Sequence, residues 1–326
     1  MIRTSTAWRA LAAVGVAALL SACAPASYLV KTPAPSGLKG TGQAPADTTI
    51  TVVDLRKGAE RDFSTGILPA GLRTDQGPIQ APVFLAETLQ AELASRGINA
   101  KVKTGETGQP ALSLQSFRML NHRSNGFSPF VTFTYLSADI DTPSGKKRVT
   151  SFVKRGKVPV WSFEEVIEPT MNQPLSLAVK ELASKIAAQA YGWKASDAEV
   201  QRLLDKLTSD KLAGDAYLDV YALGFSNSPK AVDRIVELTR HGDEYVRLAA
   251  ISSVGTLGAT GQMGMLKTLY ERRDGVWADR AMALKSIGDL GTPDSRAYLE
   301  VELKRWETGD SSKEAIWTAQ IIRLYL

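Results

Sequence analysis

Asp243-Glu-Tyr-Val-Arg-Leu-Ala-Ala-Ile-Ser-Ser-Val-Gly-Thr-Leu-Gly258 decides the fold of the second half of this 326-residue chain, because its pattern returns. Val276–Gly291, VWADRAMALKSIGDLG, lies 33 residues further on. Arg247 then aligns with Arg280, Ala250 with Ala283, Ile251 with Leu284, Val254 with Ile287 and Gly255 with Gly288. Leu266 aligns with Leu299 in the same way. The pairs Leu223-Gly224, Leu257-Gly258 and Leu290-Gly291 recur at spacings of 34 and 33, and Leu324 follows Leu290 by 34 without a glycine. A period of this length marks helical pairs that bury their apolar faces only by stacking on neighbours. Small residues such as Ala250 and Gly255 let adjacent helices approach, and Gly258 and Gly291 stand where a helix stops.

DEYVRLAAI and VRLAAISSVGTLG resemble HEAT repeats of the short, lyase-associated kind. The resemblance implies an all-α HEAT-like solenoid over residues 195–326. Two clear repeats run Gly242–Arg273 and Gly275–Trp306. A degenerate one spans about Leu212–Arg240, and a half repeat, Ser311–Leu326, caps the end and leaves room for a partner to complete it. It also implies that Arg247 and Arg280 pair with acids of a neighbouring repeat, Asp243 or Asp279 being available. The second helices carry Lys230, Arg234, Lys267, Arg272, Arg273, Arg296 and Lys304. On a concave side, Arg234, Lys267, Arg272 and Arg296 would form a basic groove for a protein partner. An ordinary solvated face is the plainer reading.

Residues 47–194 have the pattern of an α+β domain with an antiparallel-rich sheet and two helices. Thr48–Arg56 is β-branched and strand-like. Val83–Arg96 carries Phe84, Leu85, Leu89 and Leu93 at helical spacing, with Gly97 at the stop. Ile98–Val102 begins a strand, and Leu112–Leu120 alternates imperfectly. Phe130–Leu136 and Lys147–Val153 are strands joined through Thr142-Pro-Ser-Gly145, and Leu175–Tyr191 is a second amphipathic helix. The TVVDLR strand, the helix-to-strand unit LAETLQAELASRGINAKV and the closing helix resemble YajG-like bacterial lipoproteins. That likeness implies an envelope auxiliary protein. One branch of it, a lipid-handling or transport subunit, requires an apolar cleft between the sheet and the Val83–Arg96 helix.

The start of the chain has its own physics. Arg3 and Arg9 precede an apolar run, Ala10–Leu20, too short to span a bilayer and suited to a signal peptide. Leu20-Ser21-Ala22-Cys23 follows and holds the only cysteine. This stretch resembles a bacterial lipoprotein signal with its lipobox; an ordinary secretory signal is the alternative. The resemblance implies cleavage after Ala22, residues 1–22 being removed, and lipid attachment at Cys23. The attached chains, palmitate among them, each add about 0.8 kcal/mol per buried CH₂. By analogy with enteric-type lipoprotein sorting, Ala24 after the cysteine, in place of aspartate, implies the periplasmic side of the outer membrane. Residues 23–46, rich in Pro, Gly, Ala, Ser and Thr, are expected to be a flexible tether spanning roughly 25–30 Å.

The composition excludes much. No thiol remains for a disulfide once Cys23 is spent. The formal charge of +5 falls to about +3 without Arg3 and Arg9, too little to point to nucleic acid. No P-loop, G-x-G-x-x-G, G-x-S-x-G or zinc-ligand spacing occurs, and no cofactor is implied. His122 and His241 stand in unrelated segments. Glu164, Glu165 and Glu168 are a solvated face before they are paired carboxylates. Lys146, Lys147, Arg148, Lys154, Arg155 and Lys157 are an edge strand guarded by lysines before they are a headgroup site. The expectation is a non-enzymatic, membrane-anchored scaffold for an envelope protein. The alternative is an auxiliary subunit of lipid or solute transport, with a lyase a distant third.

Overall fold

The computed structural model describes residues 27–67, 71–159, 161–209, 211–212, 214–272, 274–309 and 311–326. The expected signal peptide and Cys23 lie outside them.

The N-terminal region is built on a mixed sheet of β1 (Thr49–Asp54), β2 (Ser64–Gly66), β3 (Lys101–Thr104), β4 (Ala111–His122), β5 (Phe130–Thr142) and β6 (Gly145–Lys157). The order is β6-β5-β4-β1-β3, with β2 also beside β4. β4, β5 and β6 are an antiparallel meander, registered from Gly145 opposite Thr142 to Lys157 opposite Phe130. β1 runs parallel to both β3 and β4, and β2 parallel to β4. The meander therefore has the antiparallel pairing expected, and the strands are longer than the alternation in the sequence marked. The loop after Arg56 contributes β2 to the sheet.

Two helices cover one face. α1 (Ala81–Ser95) starts with Pro82 in its first turn and ends before Gly97 at φ 80. α2 (Gln173–Tyr191) continues from helical turns at Glu164–Ile167 and Glu168–Asn172 and ends at Gly192, φ 60. Leu85, Leu89 and Leu93 of α1 meet Leu112, Leu114 and Phe117 of β4 in a core where all six are fully buried.

The C-terminal region is helical. α3 (Asp197–Lys206), α4 (Ala216–Gly224), α5 (Val232–Leu238), α6 (Glu244–Thr256), α7 (Met263–Glu271), α8 (Trp277–Asp289), α9 (Pro293–Thr308) and α10 (Lys313–Arg323) follow in order. Asp243 caps α6, its carboxylate accepting from the Tyr245 and Val246 amides at 2.9 and 3.0 Å. Gly258 and Gly291 end α6 and α8 in the left-handed region, at φ 64 and 62. Close approach also recurs. A Cβ on Gly255 would lie 2.6 Å from the Ser286 backbone, and one on Gly288 would lie 2.5 Å from the Tyr325 ring.

The two regions share one apolar core rather than having one each. The second face of the meander receives the helices. Phe133 of β5 packs on Trp277 and Trp317 with ring centroids 5.5 and 4.7 Å away. The terminal helix α10 thus closes on the sheet of its own chain. The lysine-guarded edge is covered at Lys154 and Arg155, while Lys146, Lys147 and Lys157 stay exposed. Lys154 pairs with Glu244 at 2.5 Å, and Arg155 lies between the rings of Tyr217 and Tyr245 at 4.1 and 3.7 Å.

The expected tether is bound to the body over its described part. Ser27–Leu29 pairs in parallel with Gly71–Arg73, and Gly40–Thr41 pairs with Lys194–Ala195. Val30 and Leu38 are both 2% exposed. Ser36 donates its amide and its hydroxyl to Glu92, at 2.7 and 2.5 Å. Isolated apolar anchors, without periodicity, hold this Pro- and Gly-rich segment down.

Candidate functional site

The seam between the two regions is organised by four charged side chains. Glu181 and Lys185 stand one turn apart on α2, and Lys285 and Asp289 one turn apart on α8. Lys185 Nζ lies 2.7 Å from Glu181 Oε1 and 2.6 Å from Asp289 Oδ1. Lys285 Nζ contacts Glu181 Oε1 and lies 2.6 Å from Asp289 Oδ2. The result is a ring of alternating sign with no net charge.

Burial of each ion costs several kcal/mol, so one partner apiece would not stabilise the group. The surrounding polar atoms supply the rest. Ser151 Oγ donates to Glu181 Oε2 at 2.6 Å, and Lys285 donates to Ser252 Oγ at 2.7 Å. Lys185 donates to the Thr150 carbonyl at 2.6 Å. Thr150 Oγ1 and Tyr325 OH donate to Asp289 Oδ1 at 3.0 and 2.8 Å. β6, α2, α6, α8 and the C-terminus all meet here.

The ionisation follows from this geometry. Burial alone would lower the ammonium of Lys285, but Asp289 and Glu181 hold it above its usual value. Burial alone would raise the Asp289 carboxyl, but Lys185 and Lys285 hold it below the usual carboxylate range. Burial, with the Asp289 charge beside it, pushes the Tyr325 hydroxyl well up. Each charge is neutralised by two opposite ones, so the ring binds the two regions together.

Above the ring lies a cleft of about 780 Å³. Lys147 and Arg148 of β6 form one wall and Gln189 of α2 another. The helix-end turns complete it, with Leu257-Gly258, Leu290-Gly291, Arg296 and the terminal Leu326. Lys185 and Asp289 form part of its floor. Gly258 and Gly291, expected only to end helices, thus line a surface opening together with Arg296. Arg148 is held in the wall by Asp139 at 2.5 Å and donates to the Leu324 carbonyl at 3.0 Å.

The other residues singled out in the sequence lie elsewhere. Arg247 pairs with Asp279 at 2.9 Å, and Arg280 with Glu314 at 3.4 Å. Each arginine therefore reaches the next helical pair, while Asp243 is used as a cap. Arg234 donates Nε to the Leu207 carbonyl at 2.9 Å and pairs with Glu237 at 2.7 Å. Lys267 sits 4.5 Å from the Tyr298 ring centroid, and Arg272 pairs with Asp274 at 3.3 Å. Arg296 pairs with Glu300 at 3.2 Å. These four do not form one basic groove, because each is engaged locally and only Arg296 lines the cleft. The sides of α8 and α10 that carry Trp277 and Trp317 are filled by the sheet through Phe133. Arg273 lies outside the described residues.

His122 packs on Trp317 at 5.1 Å, and His241 Nδ1 accepts from the Asp243 amide at 3.0 Å. Among the described residues no group of three or more His, Cys, Asp or Glu could hold a metal ion. Among them, too, no helix is long and apolar enough to cross a membrane. No known family model matches the chain, and no curated protein matches it.

The ring was legible only in part. Lys285 and Asp289 stand where Ser252 and Thr256 stand 33 residues earlier, on an otherwise apolar helix face. Two opposite charges replacing two hydroxyls within a repeat is the signal. Their partners Glu181 and Lys185 look like an ordinary i,i+4 pair on a solvated helix.

Proposed function

We propose that this chain is a lipid-anchored envelope protein on the periplasmic side of the outer membrane, working as a non-enzymatic scaffold that holds a partner protein in the seam cleft. The observation that carries the reading is the cleft itself. Its lining joins Leu257, Leu290 and Leu299 with Lys147, Arg148 and Arg296, which suits an apolar segment flanked by acidic residues. The helical region is taken as HEAT-like. The Arg247–Asp279 and Arg280–Glu314 pairs, each linking one helical pair to the next, support that view, as do the recurring glycine contacts. The N-terminal region is taken as YajG-like on its strand and helix order, and Cys23 as the lipid site on the sequence before it.

The transport-auxiliary alternative needs an apolar cleft between α1 and the sheet. Leu85, Leu89, Leu93 and Phe117 are fully buried there, with Phe63, Phe84 and Phe117 in mutual ring contact. A filled space weighs against that alternative.

The test is in-cell crosslinking with identification of the captured proteins. Deleting the helical region would strip the Phe133 face and strand Glu181 and Lys185, so point variants are the cleaner probe. Arg296→Glu combined with Lys147→Glu is expected to abolish capture of one envelope protein that wild type retains. Unchanged capture by that variant, or capture of inner-membrane transporter subunits alone, would sink the cleft reading.

A further inference from the structure

Four of the exposed large apolar side chains, including the two most exposed, lie at one end of the meander. Phe127, 94% exposed, tops the loop between β4 and β5. Val158 and Trp161 follow β6, Trp161 being 91% exposed, and Leu29 lies in the paired N-terminal segment. Two aromatic contacts of the half-buried Phe163 tie these segments together. The Phe163 ring lies 4.8 Å from Tyr28 and 5.1 Å from Phe130.

Both aromatic tips are held by hydrogen bonds. Glu165 Oε1 accepts from the Trp161 and Ser162 amides at 3.0 and 3.2 Å. Asn125 Oδ1 accepts from the Phe127 and Ser128 amides at 2.9 Å each. The two rings therefore project outward without an apolar neighbour to cover them. Lys157 is exposed at the same end. Lys31 is there too, paired with Glu168 at 2.8 Å, and Glu164 and Glu168 are both exposed acids nearby.

The chain enters the fold at this end. Ser27 follows Cys23 by four residues, a reach of at most about 14 Å. Aromatic side chains are enriched where protein meets lipid headgroups, because a ring tolerates the interface better than water. We infer that the end carrying Leu29, Phe127, Val158 and Trp161 inserts into the headgroup region of the bilayer. The body then docks end-on beside its anchor instead of swinging from a tether. The orientation rests on the lipid-anchor reading of Cys23, whereas the aromatic contact can be measured apart from it.

The experiment uses the full chain and its Cys23→Ser variant with vesicles of phosphatidylethanolamine and phosphatidylglycerol, some containing brominated acyl chains. Mass spectrometry establishes whether Cys23 carries lipid. Tryptophan quenching is compared with a Trp161→Phe form, so that the difference isolates Trp161. Bromine quenching of Trp161 in the bound full chain is expected. Phe127→Ser with Trp161→Ser should weaken residual vesicle binding of the Cys23→Ser chain by roughly tenfold, the loss of two inserted rings. Both side chains are outside the core, so these variants should fold.

A lipidated, vesicle-bound chain with unquenched Trp161 would overturn the inference and leave the anchor intact. Quenching of Trp161 in a chain whose Cys23 carries no lipid would support the aromatic contact and sink the anchor. Absence of vesicle binding by either chain would overturn both.

Discussion

Lys185 and Asp289, 104 residues apart, meet at 2.6 Å in the interior of the molecule. One belongs to a helix that covers the sheet and the other to the helical region, so this single ion pair joins what the sequence divides. Lys285 and Glu181 repeat the junction beside it. Removing one member would leave an excess buried charge, which costs about 3–5 kcal/mol. Lys285→Met is therefore expected to lower the midpoint of denaturant unfolding steeply. Adding Glu181→Leu should recover part of the loss, since Lys185 and Asp289 remain as a neutral pair. A double-mutant cycle measures this, with a coupling of at least about 1 kcal/mol expected.

The ring also sets a pH dependence whose sign is fixed. Asp289 is held below the ordinary value of 3.8, so its stabilisation is present above that value and is lost as pH falls through the folded-state value. The stability difference between wild type and Asp289→Asn should shrink from about pH 7 to about pH 3. Lys285, held above 10.5, behaves oppositely. Its contribution is complete below 10.5 and is lost only as pH rises through the folded-state value. Urea unfolding of both variants across pH checks the two directions.

Glycine substitutions should differ in sign by position. Gly255→Ala and Gly288→Ala put a methyl group into the Ser286 backbone and the Tyr325 ring. Overpacking of this kind costs about 1–3 kcal/mol. Gly264→Ala, on α7 with nothing within 4 Å of the new carbon, should instead stabilise by about 0.5–1 kcal/mol. Thermal midpoints of the three variants give the comparison.

Arginines that look alike in sequence should also separate. Arg247 and Asp279 are each 19% exposed in their side chains, and Arg247 also donates to the His241 carbonyl at 2.9 Å. Arg247→Ala should cost about 1–2 kcal/mol. Arg296, 58% exposed and paired with Glu300, should change stability by no more than about 0.5 kcal/mol when replaced by alanine. Calorimetry distinguishes them, and only the Arg296 variant is expected to alter partner capture.

The helical half was readable because its signals are local and repeated. Leu257-Gly258 and Leu290-Gly291 mark helix ends, and Arg247 and Arg280 mark the same place on two helices. The meander was readable from alternation and from the Thr142–Gly145 turn. The seam was not, because Glu181–Lys185 and Lys285–Asp289 each look like a solvated pair until the chain brings them together. The anchoring of the segment around Val30 and Leu38 is hidden in the sequence for a related reason. Proline and glycine suggested a free coil, while single apolar side chains without periodicity fix it to the body. The basic residues of β6 were legible as a cluster, but their partners Glu244, Tyr217 and Tyr245 come from the other half. The cleft inherits this difficulty, since its walls come from segments more than a hundred residues apart.

The most direct measurement is native-state hydrogen exchange of the full chain across a urea series. If the two halves are one structure joined through the charged ring, the slowest amides of β5, α2 and α8 should exchange through a single global opening with one free energy and one urea dependence. Opening of α8 at a distinctly lower free energy, with β5 and α2 still protected, would contradict that account, and with it the cleft that depends on both halves.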